Sequence, residues 1–542
     1  MHNSELKEKN MKRHQTSALL PRPLSILAIL ILAAALGLFG TAEAQKPQPG
    51  GTYRGVIVPP GSLDPHPSHL PQAYTITGNV YNTLLRFDQD MSDMEPDLAA
   101  SWKRVDSLTY VFKLRPGVRF QDVAPVNGRQ CTSSDVKYSI ERVSGLHGQK
   151  EKFTNRTFFE DKLTAIETPD PLTVIFKTKE PYAAFVHYLA YAKCAIVPKE
   201  AVDAFGDLKN KAVGTGPFLL DEFVQDSHII LSRNPKYFKP GMPYLDKIHL
   251  KIIADPAATM AAFLAGNLDS FGAYYFQVPT IQKQAPDAKI VQRKGSYLWT
   301  LRMRPWIEGK QPLKPPFDKL GVRQAVAMAI DKQKLLKLAV GGFGDVQVGI
   351  VPNWPPYSLP QSDQVEFNPE KARKLLAEAG YAKGFTTELA TWNAPYMMQP
   401  AQVIKEMLAD IGIEVKLRTM EQPAYFNFVY TFDWDMTLHT SAMGADPENC
   451  LMPYFGPLDQ STFYKWSNPA IWKIVEEQSR TVDEAKRVQL IQKAQRMILA
   501  DSPMVYLYTM SSFIVLRPYV HRDLYFNELQ SLVGESIWME KH

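Results

Sequence analysis

The chain has 542 residues, enough for more than one domain with buried cores, and its composition (45% apolar, 22% charged) is ordinary for a globular protein. The formal net charge of +5 is small and the basic residues are dispersed, which argues against nucleic acid as a partner. The 41 prolines are spread along the chain, so the composition also excludes a low-complexity tail.

The N-terminus has the pattern of a secretory signal peptide. Four basic residues within 7–13 precede the apolar run 24–39, and Ala42-Glu43-Ala44 ends that run. The pattern predicts cleavage after Ala44 and export to the periplasm. The alternative is a retained membrane anchor, because an apolar run of this length almost spans a bilayer. No cysteine lies near the junction, so we expect no lipid anchor, and no later stretch is apolar enough to span, which predicts a soluble mature protein.

Cysteines and histidines give little evidence for a metal site. Cys131, Cys194 and Cys450 are widely spaced, so at most one disulfide could form, no pairing is favoured, and a zinc site built from cysteines is excluded. His66 and His69 are three residues apart and could be metal ligands. Because they lie in a proline-rich loop rather than on one face of a helix, we expect a solvated loop there and predict no metal or cofactor.

The first half of the mature chain mixes strands and helices. A strand and a loop rich in proline and glycine open it at Gly50, and the apolar spacing in 76–90 predicts a short helix. Alternating residues in 110–114 predict a strand. Thr132 and Asp135 are spaced as the caps of a helix that runs to Val143.

In the second half, helices alternate with strands. The expected features are a helix over 321–336 that Asp318 caps, a helix that starts at Asn368-Pro369 and stops before Gly380, a strand over 413–417, a capping box of Thr481 with Glu484 for a helix to about Ala500, and a return to strand over 504–518. This alternation predicts an α/β lobe with a mostly parallel sheet.

Two strand ends in this half are candidate ligand positions. The stretch 432–450 begins as an alternating strand, continues in small residues and closes on Asp446-Pro447, while the strand 385–392 ends at Trp392-Asn393. Ligands of open α/β sheets bind at the carboxyl ends of strands. The alternatives are a tight surface turn at Asp446 and a core position for Trp392.

The chemistry of an enzyme is not evident. The chain has no P-loop, GxSxG, HExxH or GxGxxG motif, and the stretch AVGTGPF lacks the lysine of a phosphate cradle. A secreted hydrolase would need a nucleophile and a base at a strand end, and Ser441 with His439 is the candidate pair. Without an elbow or an evident acid, we predict a protein that is not an enzyme.

Several motifs resemble those of one family. They are PDLAASW, TYVFKLRPGVRF, NGR and TSSDVKYSIERV, then AVGTGPF (212–218), RNPKYF and PYLDKI (233–248), GVRQAVAMAIDKQKLL (321–336), NPEKARKLLAEAGY (368–381) and MLADIGIEVKLRTME (407–421). Their order and content resemble the family 5 extracellular solute-binding proteins, which are the peptide- and nickel-binding subunits of ABC importers. The resemblance covers essentially all of the mature chain.

The resemblance implies an α/β, two-lobed periplasmic-binding-protein fold with a ligand cleft between the lobes. Lobe I would comprise 46–298 and 508–542, with an extra subdomain at roughly 93–210, and lobe II would comprise 299–507. Two crossover strands, Tyr297–Met303 and Val505–Thr509, would join the lobes.

The implied function is a periplasmic receptor that binds a peptide-sized solute and delivers it to membrane permease subunits, while a separate subunit hydrolyses ATP. We expect a monomer. The alternatives are a non-peptide solute (opine-, metal-chelate- or sugar-like), a chemoreceptor partner or holdase with the same fold, or a secreted hydrolase.

The candidate ligand-binding residues are Trp392, Asn393, Thr440, Ser441, Met443 and Asp446. In peptide-binding relatives, an aspartate in the loop after this strand pairs with the free amino end of the peptide. Its place falls here on Met443, and the place of a neighbouring aromatic residue falls on Thr440. We therefore expect an amino-blocked or non-peptide solute rather than a free di- or tripeptide, and for Asp446 we expect a structural role within its own turn.

Overall fold

The computed structural model forms two compact units, Met1–Pro47 and Gln48–His542. The predicted signal peptide, residues 1–44, lies outside the residues that the structure describes, as do His69, Met443 and Ala445. The described residues are 46–67, 71–88, 93–146, 159, 162–293, 295, 297–309, 313–352, 355–442, 444, 446–459, 461, 463–522 and 534–541.

The first β-strand starts at Thr52 and the last one ends at Met539. In chain order they are β1 (Thr52–Ile57), β2 (Leu85–Phe87), β3 (Met94–Pro96), β4 (Ala99–Arg104), β5 (Thr109–Leu114), β6 (Leu163–Asp170), β7 (Thr173–Thr178), β8 (Phe218–Val224), β9 (His228–Arg233), β10 (Lys247–Ile252), β11 (Ser270–Ala273), β12 (Lys289–Arg293), β13 (Tyr297–Met303), β14 (Gly344–Val346), β15 (Phe385–Trp392), β16 (Ile413–Met420), β17 (Met436–Ala442), β18 (Met504–Met510), β19 (Ser512–Leu516), β20 (Val520–His521) and β21 (Trp538–Met539).

The α-helices are concentrated in the second half. In chain order they are α1 (Pro71–Val80), α2 (Ser133–Ser144), α3 (Phe185–Leu189), α4 (Lys199–Phe205), α5 (Pro256–Leu264), α6 (Val278–Gln284), α7 (Leu320–Ala329), α8 (Lys332–Val340), α9 (Pro369–Glu378), α10 (Pro395–Ala409), α11 (Gln422–Val429), α12 (Glu448–Phe455), α13 (Pro469–Arg480) and α14 (Glu484–Asp501). Within the described residues, no helix is both long and apolar enough to cross a membrane.

Three hydrophobic cores organise the second unit. The first core collects buried residues between Tyr53 and Leu250 together with a few between Ile514 and Met539. The second core extends from Leu298 to Tyr508. A small third core packs α5 and α6 against β11 and β19. The lobe boundaries given above stay a prediction, since a set of cores does not define how the lobes move.

The first core is built on two four-stranded sheets, in the orders β1-β10-β9-β8 and β4-β5-β7-β6. In the first sheet β1 pairs with β10 in parallel and the other neighbours pair antiparallel, whereas the second sheet is antiparallel throughout. The second sheet falls within the range predicted for the extra subdomain.

The second core surrounds a six-stranded sheet in the order β14-β18-β13-β17-β15-β16. Only the pairs β15–β16 and β15–β17 are parallel, so the prediction of a mostly parallel sheet is wrong. The physical reason is that β13 brings the chain into this sheet and β18 takes it out. The two strands therefore run in opposite directions as direct neighbours, and the strand–helix alternation holds only from β15 to β17.

These directions bring several strand ends to one side of the sheet. The carboxyl ends of β15, β16, β17 and β18 lie together with the start of β13, because β13 is antiparallel to both of its neighbours. We call this side the site edge. Its residues include Trp299, Trp392, Met420, Thr440 and Tyr508.

The two connections to the second core pass close together next to the site edge. β12 leads to β13 through Gly295, and β18 leads to β19 through Ser511. The Gln292 amide donates to the Ser511 hydroxyl at 3.0 Å. A Cβ at Gly295 would lie 2.1 Å from the Met510 carbonyl oxygen, so the chain fits here only because residue 295 has no side chain.

Several local predictions are confirmed. Thr132 and Asp135 form a capping box on α2, and Asn368 caps α9 by accepting from the Lys371 amide at 3.0 Å. The strand that was expected over 413–417 is β16, which is longer than expected. Trp392 is the last residue of β15, as predicted.

Other boundaries differ from the prediction for identifiable reasons. The helix expected over 321–336 is two helices, because Asp331 caps α8 by accepting from the Lys334 amide. α7 follows Lys319 rather than Asp318. The helix expected at 76–90 ends at Val80, since the following residues pair as the β2–β3 hairpin.

The prediction that Thr481 and Glu484 form a capping box is also wrong. Asp483 caps α14 and accepts from the Lys486 amide at 2.8 Å, while the Thr481 hydroxyl donates back to Glu477 at the end of α13. The strand expected from Phe432 onward starts at Met436, because Phe432 has a left-handed φ of 58° that interrupts an extended chain. All three cysteines are buried free thiols.

His66 does not lie in a solvated loop, so that expectation is wrong. Its side chain is fully buried. Its Nε2 lies 2.9 Å from the Ala195 carbonyl oxygen and its Nδ1 lies 2.7 Å from Nη1 of Arg142, which also pairs with Asp64 at 2.5 Å. Burial lowers the pKa of His66 from 6.5 to about 4, and the charge of Arg142 acts in the same direction.

This burial predicts a pH dependence of stability. His66 stays neutral in the folded protein, whereas in the unfolded chain it takes up a proton near pH 6.5, so unfolding binds protons between about pH 6.5 and pH 4. The contribution of His66 is therefore lost as the pH falls through this window, by roughly 3 kcal/mol at about 1.4 kcal/mol per pKa unit. Urea denaturation of the wild type and of His66→Gln should give unfolding free energies that converge by about that amount from pH 7 to pH 4. A difference that stays constant with pH would contradict the prediction.

Candidate functional site

Aromatic side chains gather at the site edge. Trp299 lies opposite both Thr440 and Tyr508 in the sheet register. Its ring stacks on that of Tyr508 with centroids 5.5 Å apart and planes 14° apart. Trp299 is buried, and its indole N–H has no hydrogen-bond partner among the described residues. Thr440 is half-buried.

A second aromatic group links the third core to the helices of the second. Directly after β11, Tyr274 stacks on Phe276 at 5.4 Å and on Tyr396 of α10 at 5.8 Å, with nearly parallel planes. The Tyr275 hydroxyl donates to the Ala339 carbonyl oxygen at 2.9 Å. Phe276 remains exposed. These contacts join the segment after β11 to α8 and α10.

Trp392 is buried at the end of β15. Its ring centroid lies 5.0 Å from that of Tyr425, 5.8 Å from Phe426 and 6.4 Å from His439. Its indole N–H has no hydrogen-bond partner among the described residues. Asn393 is exposed, and its amide donates to the Met420 carbonyl oxygen at 2.8 Å. A role for this pair in lining a ligand cleft stays a prediction.

His439 and Ser441 do not contact each other in the way a base and a nucleophile would. His439 Nδ1 lies 2.9 Å from the Tyr425 hydroxyl, which also donates to the Leu438 carbonyl oxygen at 2.9 Å. Burial and the charge of Arg302 hold the pKa of His439 well below its ordinary value. The Ser441 hydroxyl accepts from Nη2 of Arg302 at 2.9 Å.

The guanidinium of Arg302 lies next to Ser441. Its side chain is fully buried between β13 and α12, and the guanidinium lies 5.3 Å from the centroid of the Tyr454 ring. Besides Ser441, its Nη1 donates to the Phe463 carbonyl oxygen at 3.1 Å. These hydrogen bonds connect β13 to the end of β17 and to the chain at Phe463.

Asp446 belongs to a buried ion pair. Its two carboxylate oxygens accept from Arg487 at 2.5 and 2.8 Å, and one of them also accepts from the Glu448 amide at 2.8 Å. Burial opposes ionisation of Asp446, but Arg487 outweighs it, so the pKa of Asp446 lies below its ordinary value. The contact with its own turn supports the structural alternative for Asp446.

Residues between 180 and 191, in the part of the chain that forms the first core, contact the end of α13 and the start of α12 next to this turn. The Ala183 amide donates to the Ser479 carbonyl oxygen at 2.8 Å, and Arg480 pairs with Glu180 at 2.6 Å. The Tyr191 hydroxyl donates to the side-chain oxygen of Asn449 at 3.0 Å. We call this set of contacts the bridge. It lies beside the loop that carries the predicted site residues.

His187 adds a further contact to the bridge. Its Nδ1 lies 3.4 Å from an oxygen of Asp446. The buried ion pair of Asp446 therefore faces residues of both cores. Glu448, two residues after Asp446, accepts from Gln478 at 2.5 Å and from Ser479 at 2.9 Å, and burial raises its pKa.

Two features of the site were not predicted from the sequence. The Tyr274–Tyr396 stack joins residues that are far apart in the chain and have no common motif. Arg302 had a signal, because it interrupts the apolar strand 297–303, where a buried arginine needs a specific reason. Within the described residues, no three side chains of His, Cys, Asp or Glu are grouped as a metal site would require.

A family model and a relative of known name both match more than half of this chain. The model of the bacterial extracellular solute-binding proteins, family 5 (middle region), matches residues 93–462. The glutathione-binding protein GsiB of Salmonella typhi is 29% identical over 502 residues, which cover 87% of this chain and 91% of that protein.

Solved structures show the same fold. The ABC transporter-associated periplasmic binding protein DppA of Helicobacter pylori, in complex with the peptide STSA, has a TM-score of 0.75 and 27% identity and covers 91% of this chain and 99% of its own. The binding protein AgaA of A. tumefaciens R10, in complex with agropinic acid, has a TM-score of 0.75 and 26% identity with the same coverage. Both are two-lobed periplasmic binding proteins, so the predicted fold class is confirmed.

The ion pair of Asp446 yields a test of its role. Asp446→Asn leaves the buried Arg487 without a counter-ion, so we expect the unfolding free energy to fall by about 3–5 kcal/mol. The affinity of the folded variant for peptide solutes should change less. Urea denaturation and calorimetric titration measure the two effects.

Asp363→Asn is the matched control. Asp363 pairs with Arg496 at the surface, where an ion pair contributes about 1 kcal/mol or less. If Asp446→Asn kept its stability and lost solute binding, Asp446 would be a ligand contact instead.

Proposed function

Because this chain belongs to the bacterial extracellular solute-binding proteins of family 5, we propose that it is the periplasmic receptor of an ABC importer and binds a peptide-sized solute between two lobes. The observation that carries the proposal is the site edge. There, strand ends of the second core meet the chain connections and the bridge from the first core. The protein itself breaks no bond, needs no cofactor and acts as a monomer, and partner subunits supply the membrane passage and ATP hydrolysis.

The proposed mechanism is closure of the lobes on the solute. Lobe I comprises 46–298 and 508–542, lobe II comprises 299–507, and β13 and β18 provide the crossovers. A solute that contacts both lobes only in the closed form shifts the equilibrium toward that form by its difference in affinity. The bridge supplies contacts that belong to the closed form, and the permease would recognise that form.

The solute contacts are proposed at the ends of two strands. Trp392 is the last residue of β15 and Asn393 follows it, while Thr440 and Ser441 lie near the end of β17 and Met443 is the next residue in the sequence after that strand. Asp446 holds the loop in place through Arg487. Glutathione, the peptide STSA and agropinic acid, which the relatives are named for or bind, are all of the size that such a site would take.

The solute is proposed to lack a free amino group at this loop. Neither Thr440 nor Met443 can neutralise an ammonium, and Asp446 is already paired with Arg487. Leaving a buried cation without a partner costs on the order of several kcal/mol, enough to remove most of the affinity. Met443 offers an adaptable apolar surface instead.

Export can be tested on the protein itself. If the signal peptide is removed after Ala44, the intact mass of the protein recovered from the periplasm should correspond to a chain that begins at Gln45. Ala44→Asp, which spoils the small-residue exit of the site, should slow or abolish this processing. A periplasmic chain that retains the run 24–39 would contradict the cleavage.

Solute binding can be tested with a peptide library in free and N-acetylated form. Calorimetry should show that the acetylated members bind at least as tightly as the free members. Small-angle scattering of the protein with a bound member should give a smaller radius of gyration, because the lobes close. Tight binding of free peptides that acetylation abolishes would contradict the proposed loop chemistry, and tight binding without compaction would contradict closure.

A further inference from the structure

Asn449 is held by two tyrosines of the other core. Its side-chain oxygen accepts from the Tyr191 hydroxyl at 3.0 Å, and its side-chain N–H donates to the Tyr188 hydroxyl at 3.3 Å. Asn449 lies on α12, which packs into the second core, whereas both tyrosines are buried residues of the first core. Both ends of one side-chain amide are therefore used across the bridge.

The two tyrosine rings are held in place by the first core. The Tyr191 ring packs edge-on against Phe87 with centroids 5.6 Å apart, and the Tyr188 ring packs edge-on against Phe159 at 6.4 Å. Rings that are already packed lose little further freedom when their hydroxyl groups form hydrogen bonds. The first core thus presents two oriented hydroxyl groups to α12.

The second core orients Asn449 through contacts of its own. The Asn449 backbone amide donates to the Asp446 carbonyl oxygen at 3.0 Å, and the Asp446 carboxylate is paired with Arg487. A Cβ at Gly444 would clash with the Asn449 side chain, so this side chain lies directly against the backbone of residue 444. Both partners of the contact are therefore shaped for it by their own cores.

The described contacts across the bridge are polar. The buried apolar residues form separate clusters on its two sides. Besides Asn449 and the contact of His187, the bridge contains the backbone hydrogen bond from Ala183 to Ser479 and the half-exposed ion pair of Glu180 with Arg480. Water can replace polar partners when they separate, whereas opening a shared apolar core would expose apolar surface. The bridge is thus suited to repeated opening and closing.

The bridge joins two parts of the protein to each other beside the proposed solute site. Its residues 180–191 fall within the predicted extra subdomain, roughly 93–210, and α12 and α13 fall within predicted lobe II. Asn449 follows Asp446 by three residues, so it comes directly after the loop with the proposed solute contacts. Formation of the bridge and enclosure of a solute therefore accompany the same approach of the lobes.

From these contacts we propose that the extra subdomain is a latch on the closed form, in which Tyr188 and Tyr191 hold Asn449. The proposal rests on the function proposed above and names the step that the latch controls, which is release of the solute. Because the latch joins the lobes to each other, it stabilises the closed form by the same factor for every solute. Asn449 and the two tyrosines are positioning residues.

A latch of this kind acts on one of the two binding rates. The solute enters the open form, in which the latch is not formed, so the association rate does not depend on it. Release requires the closed form to open, which breaks the latch. A hydrogen bond of typical strength changes such an equilibrium by about a factor of five.

The test measures association and dissociation rates by stopped-flow for the two tightest-binding members of the library of free and N-acetylated peptides. Tyr191→Phe and Tyr188→Phe each remove one hydroxyl and keep the ring. Each should raise the dissociation rates of both peptides about five-fold and leave the association rates within about two-fold of the wild type. Asn449→Ala should raise the dissociation rates further, because it removes both hydrogen bonds.

Tyr138→Phe is the matched control. Tyr138 is a half-buried tyrosine of α2 in the same subdomain, and its ring lies near the Lys199 ammonium, 5.9 Å from the ring centroid. Its variant should release both peptides at the wild-type rates. Urea denaturation of the solute-free variants shows whether each one is folded. A purely structural role of the tyrosines would lower this stability and leave the dissociation rates unchanged.

The outcomes separate the latch from the proposed function. If Tyr191→Phe and Asn449→Ala are folded and release both peptides at the wild-type rates, the latch is overturned while solute binding stands. A rate change for one peptide and not the other would mean that these residues contact the solute, which also overturns the latch. If no member of the library binds to the wild type, the proposed function is overturned, and the latch with it.

Discussion

The antiparallel pairing of β13 with both β17 and β18 determines which strand ends gather at the site edge. β13 brings the chain into the second core, and β18 takes it out again as the neighbouring strand. The carboxyl ends of four strands therefore collect on the side from which the chain enters. Trp299, Tyr508 and Thr440 meet there because the register requires it. The backbone hydrogen bonds on the two sides of β13 thus both connect the entering and leaving strands and bring the residues of the site edge together.

Charge inside the second core is arranged in two different ways. Asp446 and Arg487 neutralise each other and fix the turn after β17. Among the described residues, the hydrogen-bond partners of Arg302 are neutral groups, and one of them is the Ser441 hydroxyl in the strand that precedes the same turn. The two arginines therefore hold the chain on both sides of this turn.

The sequence predicted the fold class and the positions of Trp392 and Thr440 near strand ends, but not the tertiary contacts around these residues. Trp392 and Thr440 could be placed because apolar alternation and turn residues are local signals. The pairing of Asp446 with Arg487 and the stack of Tyr274 on Tyr396 depend on tertiary contacts between distant segments, and no spacing encodes them. The strand directions in the six-stranded sheet were predicted wrongly for the same reason. β13 and β18 are neighbours in the sheet, but nearly the whole second core separates them in the sequence. His66 was placed in solvent because its burial depends on Arg142 and Ala195.

The contact between Gly295 and Met510 has a mechanical consequence. The two connections touch side by side at Gly295 and Met510, and the hydrogen bond between Gln292 and Ser511 ties them together. A Cβ at position 295 would lie 2.1 Å from the Met510 carbonyl oxygen, so Gly295→Ala would force these two backbones apart. Because both connections lead into the second core, the substitution would displace that core relative to the first, although residue 295 is not one of the residues of the site edge.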